Sequence, residues 1–296
     1  MRLFFKYLIL LSITVSAPVF AKTFPLNGNE VFGEVFTVTP KKNDTFSYYA
    51  HTYDVGASAI QIANPGVNED YPDKQKHDIT IPAEFILPSQ RNGIVINLPE
   101  IRLYYFNQSE FMTYPVSIGK VGWKTPIREG KVVDKEANPS WHVPKSILAE
   151  NAARGVHTPA VVGPGPNNPL GKYALRLSIP GYLIHGTSNP TSIGRRVSHG
   201  CIRMFPMDIE ELFNNVPVGT PVSLINEPIK AGWKGNKLYL EVHPLLAEYP
   251  MSEDARQAMA KDKINAALAV RSTQVDWSKV DQVMRAQNGV VEMISK

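Results

Sequence analysis

Apolar and polar residues alternate differently along three stretches of the chain. In the first, residues 22–89, alternation over residues 34–38 is typical of a strand. Apolar residues then recur at helical spacing from Phe46 and again over residues 58–63, and a second alternating run covers residues 79–82. This N-terminal segment is therefore predicted to fold in the order strand, helix, helix, strand.

Short apolar runs joined by tight turns dominate the second stretch, residues 93–228. The runs at 94–98, 102–106 and 111–118 predict neighbouring strands, folded as an antiparallel sandwich or a partly closed barrel. One helix is expected at residues 207–215, where acidic residues accompany an apolar stripe. A polar stretch with proline and glycine separates this central segment from the N-terminal one.

The third stretch, residues 229–296, combines a strand with two helices. The strand is expected at 237–242, and the helices at 252–271 and 277–287. The pattern predicts a C-terminal segment that forms a mainly helical appendage packed on the sheet. The whole chain is thus assigned to the α+β class, with mainly β structure.

Residues 1–21 have the composition of a secretory signal peptide. Arg2 and Lys6 give a positive start, and residues 7–15 form an apolar run too short to span a bilayer comfortably. Ala21 offers a small residue for cleavage. The sequence therefore predicts export with cleavage after Ala21, and an uncleaved membrane anchor is the alternative.

The composition is that of a folded protein with many loops. Of its 296 residues, 43% are hydrophobic and 20% are charged, which excludes a wholly disordered chain. The 24 prolines and 20 glycines disfavour an all-helical bundle. The formal charge of +4 is spread along the chain without a long basic run, so nucleic acid binding is not expected.

The single cysteine of the sequence, Cys201, is the leading candidate for chemistry. An exported protein with one cysteine cannot form an intramolecular disulfide, so its thiol is expected to be buried or used. A thiol needs a base or a positive environment to become nucleophilic. His199 lies two residues before the cysteine, whereas His185 ends an apolar strand from which it is expected to reach the sulfur.

Residues around this thiol are suited to assist it. The Gly186 carbonyl is placed to accept a hydrogen bond from Nδ1 of the preceding histidine and so fix its tautomer. The backbone N–H groups of Gly200 and Cys201 are candidate oxyanion donors. Arg203 is predicted to hold either a substrate carboxylate or a structural acid, and both alternatives stay open at this point.

Two other kinds of site use thiols and imidazoles but fit the sequence less well. A zinc site formed by these histidines, His157 and Cys201 would lack the paired ligand spacing typical of structural zinc. In a papain-like protease the cysteine precedes the histidine, and the flanking signature of that family is absent.

The motif "HGT" at 185–187, followed by "SHGCIRM" at 198–204, resembles the YkuD family of L,D-transpeptidases, cysteine enzymes of the bacterial cell wall. The resemblance extends from about residue 93 to 228 and takes in residues 167–177 and 219–222. It implies a YkuD-like β-sandwich for the central segment.

A second resemblance concerns the N-terminal segment. With "NDT" at 43–45, "ANPGV" at 63–67 and "ITIP" at 79–82, it is similar to a LysM carbohydrate-binding module. This similarity implies binding of peptidoglycan glycan. The order of all segments resembles the periplasmic enterobacterial type called ErfK/YbiS.

The YkuD resemblance implies a role for each residue of the motif. Cys201 would be the nucleophile, His185 its base, and the Gly186 carbonyl the group that orients the base. The remaining positions are an oxyanion or orienting pair and a substrate-binding set, namely Gly200 and Tyr173, and Ser198, His199 and Arg203. The family's chemistry requires no metal or organic cofactor, so neither is expected.

The same resemblance implies a two-step acyl transfer. The thiol would attack the diaminopimelate–D-alanine bond of a peptidoglycan tetrapeptide stem, release D-alanine and hold the stem as a thioester. The acceptor would be a second diaminopimelate, giving a 3→3 cross-link, or a lysine of an outer-membrane protein. An L,D-carboxypeptidase that uses water and a non-catalytic peptidoglycan-binding protein are the alternatives. The expected location is the periplasm.

Overall fold

The computed structural model describes residues 23–75 and 77–296. The predicted signal peptide at residues 1–21 lies outside the described residues. Among the helices that are described, none is both long and apolar enough to cross a membrane.

Residues 31–86 have the predicted order of strand, helix, helix and strand, and a short strand that was not predicted precedes them. The two long strands pair antiparallel along their whole length, and both helices pack on them. Phe46, Tyr49, Ile60 and Ile81 fill this small core and are nearly inaccessible to solvent. Thr45 begins the first helix, because its side chain accepts a backbone N–H of the first turn. The elements are β1 (Thr23–Pro25), β2 (Val31–Val38), α1 (Phe46–Tyr53), α2 (Ala57–Ala63) and β3 (Ile79–Ile86).

The central segment is built on one sheet of nine strands, to which β1 also belongs. The predicted runs at 94–98 and 102–106 are strands, and the run at 111–118 is divided in two. The elements are β4 (Gly93–Asn97), β5 (Arg102–Phe106), β6 (Glu110–Pro115), β7 (Ile118–Gly119), β8 (Arg128–Ala137), β9 (Trp141–His142), α3 (Lys145–Ala153), β10 (Val161–Val162), β11 (Tyr173–Leu177), β12 (Leu183–His185), β13 (Arg196–Ser198), β14 (Ile202–Arg203), α4 (Pro206–Asn215) and β15 (Pro221–Ile225). The strand order is β1-β6-β5-β4-β15-β8-β11-β12-β14.

Two strand pairs of this sheet are parallel, so the predicted all-antiparallel pairing is wrong at those places. β15 runs parallel to β4, and β14 runs parallel to β12. Parallel neighbours need a crossover connection. Residues 186–201 provide it between β12 and β14, and a much longer stretch of chain provides it between β4 and β15.

The nine-stranded sheet curls, so that side chains from distant strands share one core. Ile94 and Tyr105 on one side and Leu175 and Ile184 on the other belong to the same buried cluster. A single curled sheet therefore encloses the core, so the predicted sandwich is wrong, and the partly closed barrel is the alternative that this sheet fits. The predicted helix at 207–215 is confirmed as α4, which packs Ile209 into this core.

The C-terminal segment contains the predicted strand and both predicted helices. A three-stranded sheet of order β16-β17-β18 packs against the helices. Its elements are β16 (Ile229–Lys234), β17 (Lys237–Val242), α5 (Glu253–Val270), α6 (Trp277–Ala286) and β18 (Glu292–Met293). The first and last strands of the three were not predicted. The segment boundaries at 22–89, 93–228 and 229–296 stay predictions about domains.

A buried lysine joins the three segments. Lys230 is 1% exposed, and its Nζ lies 2.8 Å from a carboxylate oxygen of Glu100 and 3.0 Å from one of Glu241. The same ammonium donates to the carbonyl of Ile86 at 2.6 Å. Burial lowers the pKa of Lys230 and the two carboxylates raise it, with a net rise, so the lysine stays charged.

Lys230→Met is expected to lower the free energy of unfolding by about 3 kcal/mol, because two buried carboxylates lose their counter-charge. Urea unfolding at neutral pH measures this. Lys237→Met, at the exposed end of β17, is the control and should change stability by no more than about 0.5 kcal/mol. Equal stability of the two variants would contradict the role assigned to Lys230.

Candidate active site

The register of two parallel strands brings the candidate residues together. Ile184 of β12 pairs with Ile202 of β14, and His185 pairs with Arg203. Both isoleucines are fully buried in the core, and neighbouring residues of a strand face opposite sides. His185 and Arg203 therefore face away from the core, and Cys201, two residues before Arg203, faces the same way.

These three side chains line a cleft of about 730 Å³. One wall comes from β11, β12 and β14, and the opposite wall comes from an insertion, residues 138–172, that contains β9, α3 and β10. Trp141 and Ile147 of the insertion face the cleft. The volume is that of a site for a small-molecule-sized or extended peptide ligand.

Asn168 closes the base of the insertion. Its side chain is 1% exposed, and Nδ2 donates to the carbonyls of Pro139 at 2.7 Å and Gly163 at 3.1 Å. Its Oδ1 accepts the N–H of Leu170 at 2.9 Å. This buried amide fixes where the insertion leaves and rejoins the sheet, which accounts for its place in the motif region at 167–177.

The thiol of Cys201 is partly exposed in the cleft, and its Sγ lies 3.6 Å from the carbonyl oxygen of Gly181. Burial raises the pKa of this thiol, and a backbone hydrogen bond with Leu183 and the charge of Arg203 lower it less. The sulfur is therefore protonated at neutral pH and needs a base before it can attack.

His185 has the properties of a neutral base. It is 4% exposed, and its Nδ1 lies 2.7 Å from the Gly186 carbonyl, the position that the sequence predicts. A carbonyl only accepts, so Nδ1 carries the proton and Nε2 is the basic nitrogen. Burial lowers the pKa of His185 to about 4, and the charge of Arg203 acts in the same direction.

Polar groups of the loop before Cys201 form hydrogen bonds within the loop. These bonds contradict the predicted roles of Ser198 in substrate binding and of the Gly200 N–H as an oxyanion donor. Ser198 is 1% exposed; its Oγ donates to the carbonyl of Cys201 at 2.6 Å and accepts the N–H of Gly200 at 3.0 Å. Ser198 lines the cleft, but both hydrogen bonds of its hydroxyl stay within the loop, so it shapes the loop instead of binding substrate. The Gly200 N–H is engaged and is not a free oxyanion donor, so the Cys201 N–H is the predicted donor that remains.

Gly200 is required here for a different reason. Its φ of +111° disfavours a side chain, and a Cβ at this position would lie 3.0 Å from Cε1 of Tyr182. The glycine thus lets the loop turn tightly against the Tyr182 ring, which lines the cleft.

Tyr173, the predicted oxyanion tyrosine, lies on the wrong face of its strand. Ala174 pairs with His185 and lines the cleft, so Tyr173, one residue earlier, points the other way. Its hydroxyl donates to Glu210 at 3.1 Å and its ring packs on Phe213 of α4. The prediction for Tyr173 is therefore wrong.

Tyr182 is the tyrosine on the cleft, and sequence reasoning missed it. Its hydroxyl donates to the carbonyl of Lys124 at 3.3 Å. Burial raises the pKa of Tyr182, and the nearby Cys201 adds to the rise, so the phenol keeps its proton. The available signal was its position directly before the strand that ends at His185.

His199 is held by a carboxylate of the insertion. Its Nε2 lies 2.8 Å from Glu150 Oε2, and the Trp123 ring packs edge-on against it at 4.7 Å. The other Glu150 oxygen lies 2.8 Å from Lys120 Nζ. The hydrogen bond from Lys120, followed in size by the one from His199, holds the pKa of Glu150 below its usual range. Sequence reasoning missed Glu150 because it lies far from the motif.

Arg203 faces the cleft with a guanidinium that is largely buried. Its buried Nε has no hydrogen-bond partner among the described residues, and the ion pairs of the described chain do not include it. Burial lowers the pKa of Arg203, which nevertheless stays charged. Of the two alternatives left open, a substrate carboxylate fits this geometry better than a structural acid.

Comparison with known proteins gives the same family as the motif. Residues 91–224 match the model of the L,D-transpeptidase catalytic domain, YkuD. The chain is 41% identical to the probable L,D-transpeptidase YcfS of Escherichia coli over 248 residues, covering 80% of this chain and 77% of that protein. It is 37% identical to the probable L,D-transpeptidase YbiS of Escherichia coli over 280 residues, covering 91% of each.

Among solved structures, the catalytic domain of an Enterococcus faecium L,D-transpeptidase matches with 23% identity and a TM-score of 0.37, over 47% of this chain and all of that domain. The relatives in Escherichia coli are similar along most of their length, well beyond the catalytic motif. The chain therefore belongs to the YkuD family and is an L,D-transpeptidase.

Proposed function

We propose that this L,D-transpeptidase is a periplasmic thiol acyltransferase, in which Cys201 is the nucleophile and His185 the general base. The observation that carries the proposal is the β12–β14 register, which turns both side chains and Arg203 into one cleft. The membership of the family supports peptidoglycan stems as the substrate. Because the family is catalytic, a purely structural wall-binding protein is not favoured.

In the first step the acyl group moves from the stem to sulfur. Nε2 of His185 takes the thiol proton while Sγ attacks the carbonyl on the L centre of diaminopimelate. The Cys201 N–H stabilises the oxyanion. The tetrahedral intermediate collapses as the imidazolium returns the proton to the nitrogen of D-alanine, which leaves, and a thioester remains.

In the second step an amine takes the acyl group from sulfur. The amine attacks the thioester carbonyl, His185 accepts the proton that the nitrogen loses, and the thiol is re-formed when the imidazolium protonates the leaving sulfur. The acceptor is proposed to be a second diaminopimelate or a lysine of an outer-membrane protein. Water in the same position gives the L,D-carboxypeptidase alternative.

The resting site is proposed to hold a neutral thiol and a neutral imidazole. Burial raises the pKa of Cys201 and lowers that of His185 to about 4, so transfer of the proton before substrate binds is unfavourable. The base therefore acts as the carbon–sulfur bond forms. The guanidinium of Arg203 is proposed to bind a carboxylate of the stem and to orient the carbonyl toward the sulfur.

The N-terminal segment is proposed to bind peptidoglycan glycan. The support is its strand–helix–helix–strand fold together with the LysM-like motifs at 43–45, 63–67 and 79–82. Export to the periplasm rests on the signal-like residues 1–21.

The proposal is tested by mixing the protein that lacks residues 1–21 with a purified disaccharide-tetrapeptide. Release of D-alanine and an intact-mass increase equal to the stem without D-alanine are expected. Addition of a second tetrapeptide or of a lysine peptide identifies the acceptor from the product mass. A tetrapeptide that stays intact, with no adduct on the protein, would refute the proposed function.

A further inference from the structure

The loop that leads to Cys201 contains a buried stretch. This nucleophile loop, residues 186–200, joins β12 to β14 and contains a single turn of 3₁₀ helix at Pro190–Ser192 and the short strand β13. Residues 192–194 are buried, and Ile193 is only 1% exposed. Loops normally run over the surface. Residues 192–194 must therefore be covered by other parts of the chain.

The inner side of the nucleophile loop is held by the central segment. The hydroxyl of Ser117 donates to the Ser192 carbonyl at 2.7 Å. The Gly194 N–H donates to the carbonyl of Val116 at 3.0 Å, and β13 pairs in parallel with β7. These bonds fix the loop along one edge only.

The outer side is covered by the N-terminal segment. The N–H of Ser58, in the first turn of α2, donates to the Gly194 carbonyl at 3.1 Å. Glu69 and Arg195 form an ion pair at 2.6 Å. α1 lies against the 3₁₀ turn of the loop. The buried stretch at residues 192–194 thus lies between the central segment and the N-terminal segment, whereas residues 188–191 are exposed.

The closest contact in this arrangement joins two backbones. Gly194 has a φ of +78°, and a Cβ on it would lie 2.3 Å from Cα of Gly56 and from the nitrogen of Ala57. From the other side, a Cβ on Gly56 would lie 3.3 Å from Cα of Gly194. A contact between main chains has no flexible side chain to absorb movement. A shift of α2 is therefore passed directly to the nucleophile loop.

We propose that the N-terminal segment, besides any affinity for glycan, is a positioning element of the active site. By pressing the nucleophile loop against β7, it holds Cys201 in register with His185. Gly56 and Gly194 are its positioning residues, and the Glu69–Arg195 pair supports them. The inference rests on the proposed function of Cys201 and adds to it that acyl transfer depends on a segment outside the catalytic domain.

The proposal predicts a change in kcat without a change in KM. Small displacements of reacting atoms can lower a rate by up to about 100-fold. The cleft walls come mainly from β11, β12, β14 and the 138–172 insertion, and the N-terminal segment is proposed to hold none of these. Loss of the support should therefore slow acylation and leave binding unchanged.

Gly56→Val tests this from the side remote from the cleft. Gly56 has φ −72° and ψ 135°, which any residue adopts, so valine adds a wedge without backbone strain. We expect kcat for D-alanine release to fall at least about tenfold, with KM within about twofold of the wild-type value. Hydrogen–deuterium exchange of peptides covering residues 186–200 should become faster.

Gly28→Val is the matched control. Gly28 lies in the same segment, outside the LysM-like motifs, with φ +84°, and a Cβ there meets nothing within 4 Å. This variant strains the N-terminal segment without touching the nucleophile loop, so kcat should stay within about twofold of wild type. A loss of kcat as large as that of Gly56→Val would mean that general destabilisation is the cause, and would overturn the proposal.

Charge reversal gives a second test that avoids the glycines. Glu69→Arg and Arg195→Glu should each lower kcat by about threefold, and the double variant should restore it, because the pair is re-formed with its charges exchanged. A double variant no faster than the single ones would contradict the proposal. So would a Gly56→Val protein whose loop exchanges faster while turnover is unchanged. If the wild type itself releases no D-alanine, the proposed function fails instead.

Discussion

Cys201→Ala is expected to form no covalent adduct with a tetrapeptide stem and to release no D-alanine from it. Cys201 is the single cysteine of the chain, and it lines the same cleft as His185 and Arg203. Without the nucleophile, the oxyanion donor and the substrate contacts have no covalent step to assist. The loss of turnover should be at least about 1,000-fold. Intact-mass spectrometry and a D-alanine assay measure the two effects.

Tyr173→Phe is the control for this experiment. The Tyr173 hydroxyl donates to Glu210 outside the cleft, so its removal should leave acylation within about twofold of wild type. An adduct that persists in Cys201→Ala would show that another group is acylated and would remove the basis of the mechanism. A strong loss of acylation rate in Tyr173→Phe would instead support the predicted oxyanion role of Tyr173, against the strand register.

The sequence was sufficient for elements whose signals are local. The apolar spacing that defines α4, α5 and α6 lies within each helix, and both long strands of the N-terminal segment alternate or end at clear turns. Cys201 and His185 could be predicted because each lies in a short motif, and both line one cleft once two short strands are neighbours. The register of β12 and β14 supplies that neighbourhood.

Features that depend on which strand face a residue occupies could not be predicted in this way. The YkuD resemblance suggested Tyr173, but a shift of one position along β11 sends a side chain to the opposite side of the sheet. Ser198 and Gly200 were predicted to contact the substrate or the oxyanion. In the folded loop they instead form hydrogen bonds with each other and with Cys201, which the sequence does not reveal.

Strand pairs and ion pairs between distant segments of the chain could also not be predicted from the sequence. The parallel pairing of β4 with β15 joins the beginning and end of the central segment, and Lys230 meets carboxylates from two separate strands or turns. Glu150 reaches His199 from an inserted helix with only one buried residue, whose own pattern gives no sign of a partner. Such contacts depend on the tertiary fold, so a single sequence does not reveal them.

His185→Gln is expected to slow acylation of Cys201 by about two to four orders of magnitude, as the loss of a general base does. Glutamine has similar reach and can donate to the Gly186 carbonyl, but it cannot take a proton from the sulfur.

In the wild type, the rate should stay high as the pH falls below 6.5 and decline only near the His185 pKa of about 4. An acid limb near 6.5 would show that a different base, or an exposed imidazole, controls the reaction.

The same low pKa predicts how His185 affects stability. The folded-state pKa of about 4 lies below the ordinary value of 6.5, so between these pH values the unfolded chain binds a proton that the folded chain excludes. His185 should therefore lower the free energy of unfolding by about 3 kcal/mol as the pH falls from about 7 to 4, an effect that His185→Gln lacks. Urea unfolding of both proteins at the two pH values measures the difference. If the wild type and the variant lose stability equally, the imidazole is not held neutral by burial, and the proposed neutral thiol–imidazole pair is wrong.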